Sequence, residues 1–224
     1  LQGRYSNAES LYIEALELSK HLLGWEHRDV ARSISNLASL YRSQGRYNEA
    51  EPLCIQALEL YKCLLGFEHL NVARCINNLA ELYQSQGRYR EAEPLYLQAL
   101  KLSKRLLGLQ HPYTACSISN LANLYKSQGR YSEAKPLYLQ ALEIRKHLLG
   151  LEHPDVAHSI NNLAAFYHSQ GCYSEAEPLY VQALELHKRL LGLEHPDVAH
   201  SISNLAELYN SQKRYDEAEP LCIQ

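Results

Sequence analysis

The sequence has few of the features that mark membrane spans, nucleic-acid binding or disorder. It contains no run of about 18 apolar residues, so no segment is predicted to span a bilayer. A net charge of −3 provides no basic field for nucleic acid or for an anionic membrane surface. With 46% hydrophobic and 21% charged residues, the 224-residue chain has the composition of a folded protein with a buried core.

The most informative feature is a period of 42 residues. One column of the period holds Tyr47, Tyr89, Tyr131, Tyr173 and Tyr215, and a second holds His27, His69, His111, His153 and His195. All ten glycines fall in two further columns, which begin at Gly3 and Gly24. Because glycine commonly ends helices, each repeat is predicted to contain two segments. A period of this length indicates a solenoid.

Both segments of each repeat have helical spacing. Val30, Ile34, Leu37 and Tyr41 follow one another at steps of three and four, which is typical of a helix with one apolar face. We predict helix A over about 29–43 and helix B over about 48–65, and the same pair every 42 residues. Pro52 lies one turn inside helix B, so we expect a late start or a slight bend there.

These residues resemble the tetratricopeptide repeat, in its 42-residue kinesin light chain form. The matching positions in the first full repeat are Ile34, Leu37, Ala38, Tyr41, Ala50, Cys54 and Ala57. Three motifs of the chain resemble this long form: N-N-L-A, S-Q-G-R-Y-x-E-A-E-P-L-Y and L-L-G-x-E-H-P-D-V-A. The resemblance implies an all-α fold, a right-handed superhelical solenoid of antiparallel helix pairs.

The period also predicts the boundaries of the repeats. Residues 1–28 are interpreted as helix B of a preceding repeat with its loop, and the repeats follow at 29–70, 71–112, 113–154, 155–196 and, truncated, 197–224. Neither end carries the polar capping repeat of a complete solenoid, so we expect a fragment of a longer array. Exposed apolar ends favour end-to-end self-association of such a fragment.

The sequence gives no positive sign of catalysis or metal binding. Walker, nucleophile-elbow, dinucleotide-binding, kinase and H-E-x-x-H motifs are missing. The six cysteines form no C-x-x-C pair, and His158, His168 and His200 do not make a recognisable ligand set. We predict no enzyme, no cofactor and no metal site. Free thiols favour a reducing compartment, and we predict the cytoplasm.

One polar column remains for binding. Asn36, Asn78, Asn120, Asn162 and Asn204 lie in the middle of helix A, where asparagine is unfavourable. The neighbouring columns on the same helix stripe vary along the chain. They hold Arg32, Arg74, Cys116, His158 and His200 four residues before, and Ser39, Glu81, Asn123, Ala165 and Glu207 three residues after.

The resemblance implies that this stripe lines a concave groove, where the asparagines hold the backbone of an extended peptide. The alternative is that each asparagine bonds the backbone of a neighbouring helix. Arg32, Arg42, Arg74 and Lys126 favour an acidic ligand, whereas Glu81 and Glu207 oppose one.

We predict a non-catalytic scaffold that binds a protein or peptide in this groove, as kinesin light chains bind cargo and adaptors. No nucleic acid or membrane partner is expected. The alternatives are a sensor or spacer array within a larger signalling protein, and a structural scaffold that assembles through its ends.

Overall fold

The computed structural model describes the backbone of residues 2–223 and the side chains of residues 8–221. The described chain is helical, without strands, and holds eleven helices. They are α1 (Gln2–Leu23), α2 (Arg28–Ser43), α3 (Tyr47–Leu65), α4 (Leu70–Ser85), α5 (Tyr89–Leu107), α6 (Pro112–Ser127), α7 (Tyr131–Leu149), α8 (Pro154–Ser169), α9 (Tyr173–Leu191), α10 (Pro196–Ser211) and α11 (Tyr215–Ile223). The predicted A and B helices of the first repeat are therefore confirmed, each beginning one residue earlier than predicted.

Each A helix begins at a histidine of the His27 column. The Nδ1 atom of this histidine accepts a hydrogen bond from the backbone N–H two residues later, at 3.1–3.2 Å, in all five repeats. The bond satisfies one of the N–H groups that a helix start leaves without a partner. The histidine column is therefore a set of helix caps.

Glycine ends the A helices through the left-handed conformation. Gly45 after α2 has a φ of +74°, which an L residue rarely adopts. Lys213 occupies this position after α10 and has a φ of +61°. Gly3, the first member of the column, instead lies inside α1.

The proline in helix B does not delay the helix. Helix α3 begins at Tyr47, five residues before Pro52, so the expected late start is wrong. The proline ring removes a single helical hydrogen bond. On either side of it, Ala50 is fully buried and Cys54 nearly so, and this packing holds the first turn.

The chain divides into two compact units, Leu1–Gly108 and Leu109–Gln224. In the first, α2 packs on α3 and α4 on α5, and α1 and α3 pack on the helices that follow them. In the second, the pairs are α6 with α7, α8 with α9 and α10 with α11, joined through contacts of α7 with α8 and of α9 with α10. This order of consecutive helix pairs confirms the all-α repeat solenoid. The 42-residue boundaries of the repeats stay a prediction.

The turn between helices A and B is held by one arginine. The Arg46 guanidinium lies 4.0 Å from the ring centroid of Tyr41 and forms ion pairs with Glu49 and with Glu9 of α1. These hydrogen bonds lower the pKa of Glu49 and of Glu9. The Gln44 side chain accepts a further bond from Arg46. Arg46 thus connects the turn to α1 and to the first turn of α3.

Arg88 and Arg214 repeat this arrangement with Glu51 and Glu177 of the preceding repeat. Before α9 the arginine is replaced by Cys172, and the preceding glutamate by Lys135. The Nζ atom of Lys135 lies 5.2 Å from the ring centroid of Tyr167. The two substitutions therefore compensate each other, and a lysine takes the place of the arginine over the tyrosine ring.

Candidate interaction site

Four of the predicted binding residues meet in one cavity of the first unit. Arg32 and Asn36 of α2 and Arg74 and Asn78 of α4 line a cavity of about 260 Å³. The remaining lining residues are Arg28, Asp29, Ser35, Tyr61, Asn71 and Cys75. The A helices of two neighbouring repeats thus form opposite walls, and Tyr61 of α3 contributes to the lining between them.

The cavity is basic. Arg28, Arg32 and Arg74 are exposed, and Asp29 is the single carboxylate of the lining. Arg32 pairs with Asp29 at 3.1 Å. Since the three guanidinium groups outnumber the one carboxylate, the cavity has a positive excess that suits an anionic group.

Glu81, which the sequence predicts to oppose an acidic ligand, lies outside the cavity lining and has its own cationic partner. Its carboxylate forms an ion pair with Arg42 and accepts a hydrogen bond from Asn77 Nδ2 at 2.9 Å. Neither Glu81 nor Arg42 lines the cavity. Glu81 and Arg42 neutralise each other outside the cavity. The positive charge of the cavity therefore comes from the three arginines of its lining.

The asparagine column makes side-chain contacts between neighbouring A helices. Asn78 Nδ2 donates to Ser35 Oγ at 3.4 Å in the first unit, and Asn204 Nδ2 donates to Asn161 Oδ1 at 3.2 Å in the second. The partner is thus a side chain of the preceding A helix, whereas the sequence alternative expected backbone. Asn78 and Asn204 stay half-buried, and Asn36 is exposed, so the column still offers polar groups to the surface.

The other predicted residues have different surroundings. Asn123 accepts a hydrogen bond from the hydroxyl of Tyr138, which ties it to its own repeat. Ser39, Asn120 and Asn162 are half-buried. The Nε2 atom of His200 lies 3.3 Å from Asn204 Nδ2. Burial lowers the pKa of Lys126.

In the second unit, different residue types occupy the positions equivalent to three lining residues of the first unit's cavity. Arg32, Tyr61 and Asn71 are replaced, three periods later, by His158, His187 and Asp197. The His158 Nε2 atom lies 3.3 Å from Asp197 Oδ2, and the two imidazole rings lie 4.8 Å apart between centroids. Burial, followed by the nearby His158, lowers the pKa of His187, while Asp197 and the Pro154 carbonyl act against this shift.

His158 is a predicted binding residue, whereas His187 and Asp197 are not. The prediction rests on one stripe of helix A, whereas His187 lies on α9 and Asp197 lies at the start of α10. The signal that was present is the column of His187, where Ser19, Tyr61, Ser103 and Arg145 stand in the other repeats. This column changes chemistry at every repeat although the described members from Tyr61 onward are at least half-buried.

The comparisons with known proteins agree with this architecture. The tetratricopeptide repeat profile matches residues 1–62, 29–104, 72–147 and 149–221. The chain therefore belongs to the tetratricopeptide repeat family, whose repeats form protein-interaction scaffolds that are typically non-catalytic. No curated protein is similar enough to this chain to count as a match.

Solved structures with the same fold include kinesin light chain-like proteins. BtubC (BKLC) from P. vanneervenii is 27% identical with a TM-score of 0.73, over 98% of this chain and 87% of that one. A Podosopora anserina protein described as a kinesin light chain with nearly identical TPR-like repeats is 31% identical with a TM-score of 0.68, over 88% of this chain and 93% of that one. A variant of it is 30% identical with the same TM-score, over 86% and 91%.

No helix in residues 2–223 is both long enough and apolar enough to cross a membrane.

Proposed function

We propose that the chain is an interaction scaffold that binds an extended peptide carrying an acidic side chain in the cavity of the first unit. The observation that carries the proposal is the convergence of Arg28, Arg32 and Arg74 around that cavity, beside Asn36 and Asn78. Cargo or adaptor binding of the kinesin light chain kind is the corresponding biological role. A cytoplasmic location, and partners other than nucleic acids and membranes, belong to the same proposal.

The two residue types divide the work of recognition. A guanidinium group holds a carboxylate through two parallel hydrogen bonds, so Arg32 or Arg74 selects the acidic side chain. An asparagine amide offers a donor and an acceptor, which match the carbonyl and the N–H of a peptide backbone. The bond from Asn78 to Ser35 is long at 3.4 Å, so a peptide carbonyl replaces it at little cost.

The test measures peptide binding by fluorescence anisotropy. One labelled ten-residue library carries Asp or Glu at its centre, and a second carries Asn or Gln there. We expect the acidic library to bind at least about tenfold more tightly, and Arg32→Gln with Arg74→Gln to abolish this preference, because a lost charge pair is worth about 1.5–3 kcal/mol.

Arg90→Gln is the matched control, because Arg90 is an exposed arginine of the same unit and does not line the cavity. Equal binding of the two libraries contradicts the proposal. An equal loss of affinity in Arg90→Gln and in the double variant also contradicts it, since the attraction then comes from overall charge. Circular dichroism checks that all variants keep the same helix content.

A second candidate function is self-assembly through apolar faces. Leu11, Leu18 and Leu22 of α1 are 65%, 56% and 67% exposed. In the second unit, a cavity of about 330 Å³ is lined by Leu193, Ala199, Ile202, Ser203, Ala206, Asn210 and Leu221. Two different faces of this kind favour head-to-tail association. Light scattering at rising protein concentration distinguishes such assembly from a monomer.

A further inference from the structure

Three potential metal ligands converge in the second unit, each from a different helix. His158 of α8, His187 of α9 and Asp197 of α10 have ligand atoms that all lie within 4.8 Å of one another. We propose that these three residues bind a divalent transition-metal ion, and Zn²⁺ in the first place. The proposal is independent of peptide binding in the first unit.

The separation of two of these groups already suits a metal ion. The His158 Nε2 atom and the Asp197 Oδ2 atom are 3.3 Å apart. Tetrahedral zinc with bonds of about 2.0–2.2 Å to nitrogen and oxygen requires neighbouring ligand atoms about 3.3–3.5 Å apart. The side chains of His158 and Asp197 are 42% and 32% exposed, so both have room to move the remaining distance toward His187.

The buried histidine holds a polar atom that nothing in the protein satisfies. His187 is 1% exposed, and its Nε2 atom has no hydrogen-bond partner. A buried polar atom without a partner costs about 1–3 kcal/mol, so such atoms are rare in folded proteins. A metal ion bound at Nε2 removes this cost, and His187 contributes one of the three converging ligand groups.

The neighbouring serine is placed to favour the tautomer that metal binding needs. Ser201 Oγ donates its proton to the carbonyl oxygen of Asp197 at 2.9 Å. It therefore accepts the hydrogen bond from His187 Nδ1, at 2.8 Å. With the proton on Nδ1, the Nε2 atom presents a lone pair, which is the state in which histidine ligates metals. Ser201 is thus a positioning residue for the site.

The remaining histidine nearby is already occupied. His195 Nδ1 lies 3.5 Å from Asp197 Oδ2, but it accepts the hydrogen bond of the Asp197 N–H as the cap of α10. The set therefore has two imidazoles and one carboxylate, with a fourth position for water or for a group from a partner. Borderline ions such as Zn²⁺, Co²⁺ and Ni²⁺ prefer this mixture of nitrogen and oxygen ligands.

The equivalent positions elsewhere in the chain show what else can occupy this place. One period earlier the set is Cys116, Arg145 and Asp155. There the Arg145 guanidinium donates to Ser119 Oγ at 2.9 Å and to Ser159 Oγ at 2.8 Å. The fixed positive charge of Arg145 thus lies near Asp155. His187, at the equivalent position of the next repeat, carries no fixed charge. At the later position a metal ion supplies the corresponding charge.

Metal binding is measured on the untagged chain after treatment with EDTA. Titration with Co²⁺, followed by visible absorption, reports nitrogen and oxygen coordination, and calorimetry with Zn²⁺ gives affinity and stoichiometry. We expect one equivalent to bind and to raise the melting temperature, because the ion connects α8, α9 and α10 only in the folded state.

His158→Gln and His187→Gln remove one ligand each, and we expect each to abolish this equivalent. His158 is the safer variant because its side chain is half-exposed, so its loss does not threaten folding. Ser201→Ala keeps all ligands and is expected to weaken binding about 10–100-fold, as the loss of a bond that orients a ligating histidine does. His147→Gln, an exposed histidine of α7, is the matched control and leaves binding unchanged.

The absence of a bound equivalent in the unaltered chain overturns the proposal. It is equally overturned if His158→Gln binds as tightly as the unaltered chain, because the ion is then held by other histidines or by the exposed thiols of Cys63 and Cys116. Binding that survives in Ser201→Ala at full strength removes the positioning role of Ser201.

Discussion

The two units place different chemistry at equivalent positions of the same scaffold. In the first, Arg32 and Arg74 flank an open basic cavity with the hydroxyl-bearing ring of Tyr61 in its lining. In the second, His158, His187 and Asp197 form a compact set of potential metal ligands. The columns that make the helices and turns hardly differ between the units. The columns that do differ include those of Arg32, Tyr61 and Asn71, which His158, His187 and Asp197 replace in the second unit.

The turns offer a second comparison. Arg46, Arg88 and Arg214 each stack on a tyrosine and bind two glutamates. In one repeat Cys172 replaces the arginine, and Lys135 of the preceding repeat replaces the glutamate and lies over the tyrosine ring. Sequence comparison alone suggests that Cys172 is a random replacement. The structure shows a coupled change, because a glutamate left without its arginine would lose its partner charge.

The largest effect is expected from building a second metal site one period before the proposed one. Cys116→His with Arg145→His completes a His, His, Asp set with Asp155, and we expect the number of bound Zn²⁺ ions to rise from one to two. Calorimetry counts the equivalents. Cys116→His alone is the control and adds none, because the positive charge of Arg145 repels the ion. If the double variant is folded but still binds only one equivalent, the two positions are not equivalent for metal binding.

The next effect concerns an aromatic cluster of the second unit, which is centred on Phe166. Phe166 lies 5.4 Å from the ring centroids of Tyr138 and Tyr167 and 6.0 Å from that of Tyr131, at a position where other repeats have leucine. We expect Phe166→Ala to reduce the free energy of unfolding by about 3–5 kcal/mol.

Phe166→Leu is the matched variant and is expected to cost less than about 1.5 kcal/mol, since it restores the residue of the other repeats. Urea denaturation followed by circular dichroism measures both. Equal losses in the two variants would show that the aromatic ring itself, rather than the filled volume, stabilises the unit.

The smallest effect concerns the turn arginine. Arg88→Cys leaves Glu51 without the guanidinium group that pairs with it, so we expect a lower melting temperature. The double variant Arg88→Cys with Glu51→Lys copies the natural Cys172 and Lys135 pair, and we expect it to recover part of the lost melting temperature. Arg90→Cys is the control with no expected change. If the double variant is no more stable than the single one, the two natural substitutions are independent.

The pH dependence of the same comparison follows from Glu91. Its hydrogen bond with Arg88 lowers its pKa below the ordinary value of 4.5. The pair therefore stabilises the fold above about pH 4.5 and loses this contribution as the pH falls through the folded-state pKa. We expect the difference in melting temperature between the unaltered chain and Arg88→Cys to shrink below about pH 4.5.

The repeat architecture could be predicted because each helix depends on local signals. The glycine columns, the apolar steps of three and four, and the histidine before each A helix lie within a few residues of the structure they determine. At Pro52 the expected late start is wrong because the ring removes a single hydrogen bond, while Ala50 and Cys54 on either side of it are buried.

The candidate sites depended on contacts that sequence spacing does not show. Arg32, Asn36, Arg74 and Asn78 were predicted together because they share one stripe of helix A. One such contact is the ion pair of Glu81 with Arg42, a residue 39 positions away. His187 was missed because it approaches His158 from another helix, 29 positions along the chain.

The sequence by itself determined the period, the helices, their caps and the family of the chain, since all of these follow from short-range stereochemistry repeated every 42 residues. Only the tertiary structure decided which polar side chains neutralise one another and which converge. The physical reason is that charge pairing and metal ligation act over a few ångströms of space, and packing alone brings residues of α8, α9 and α10 within that range.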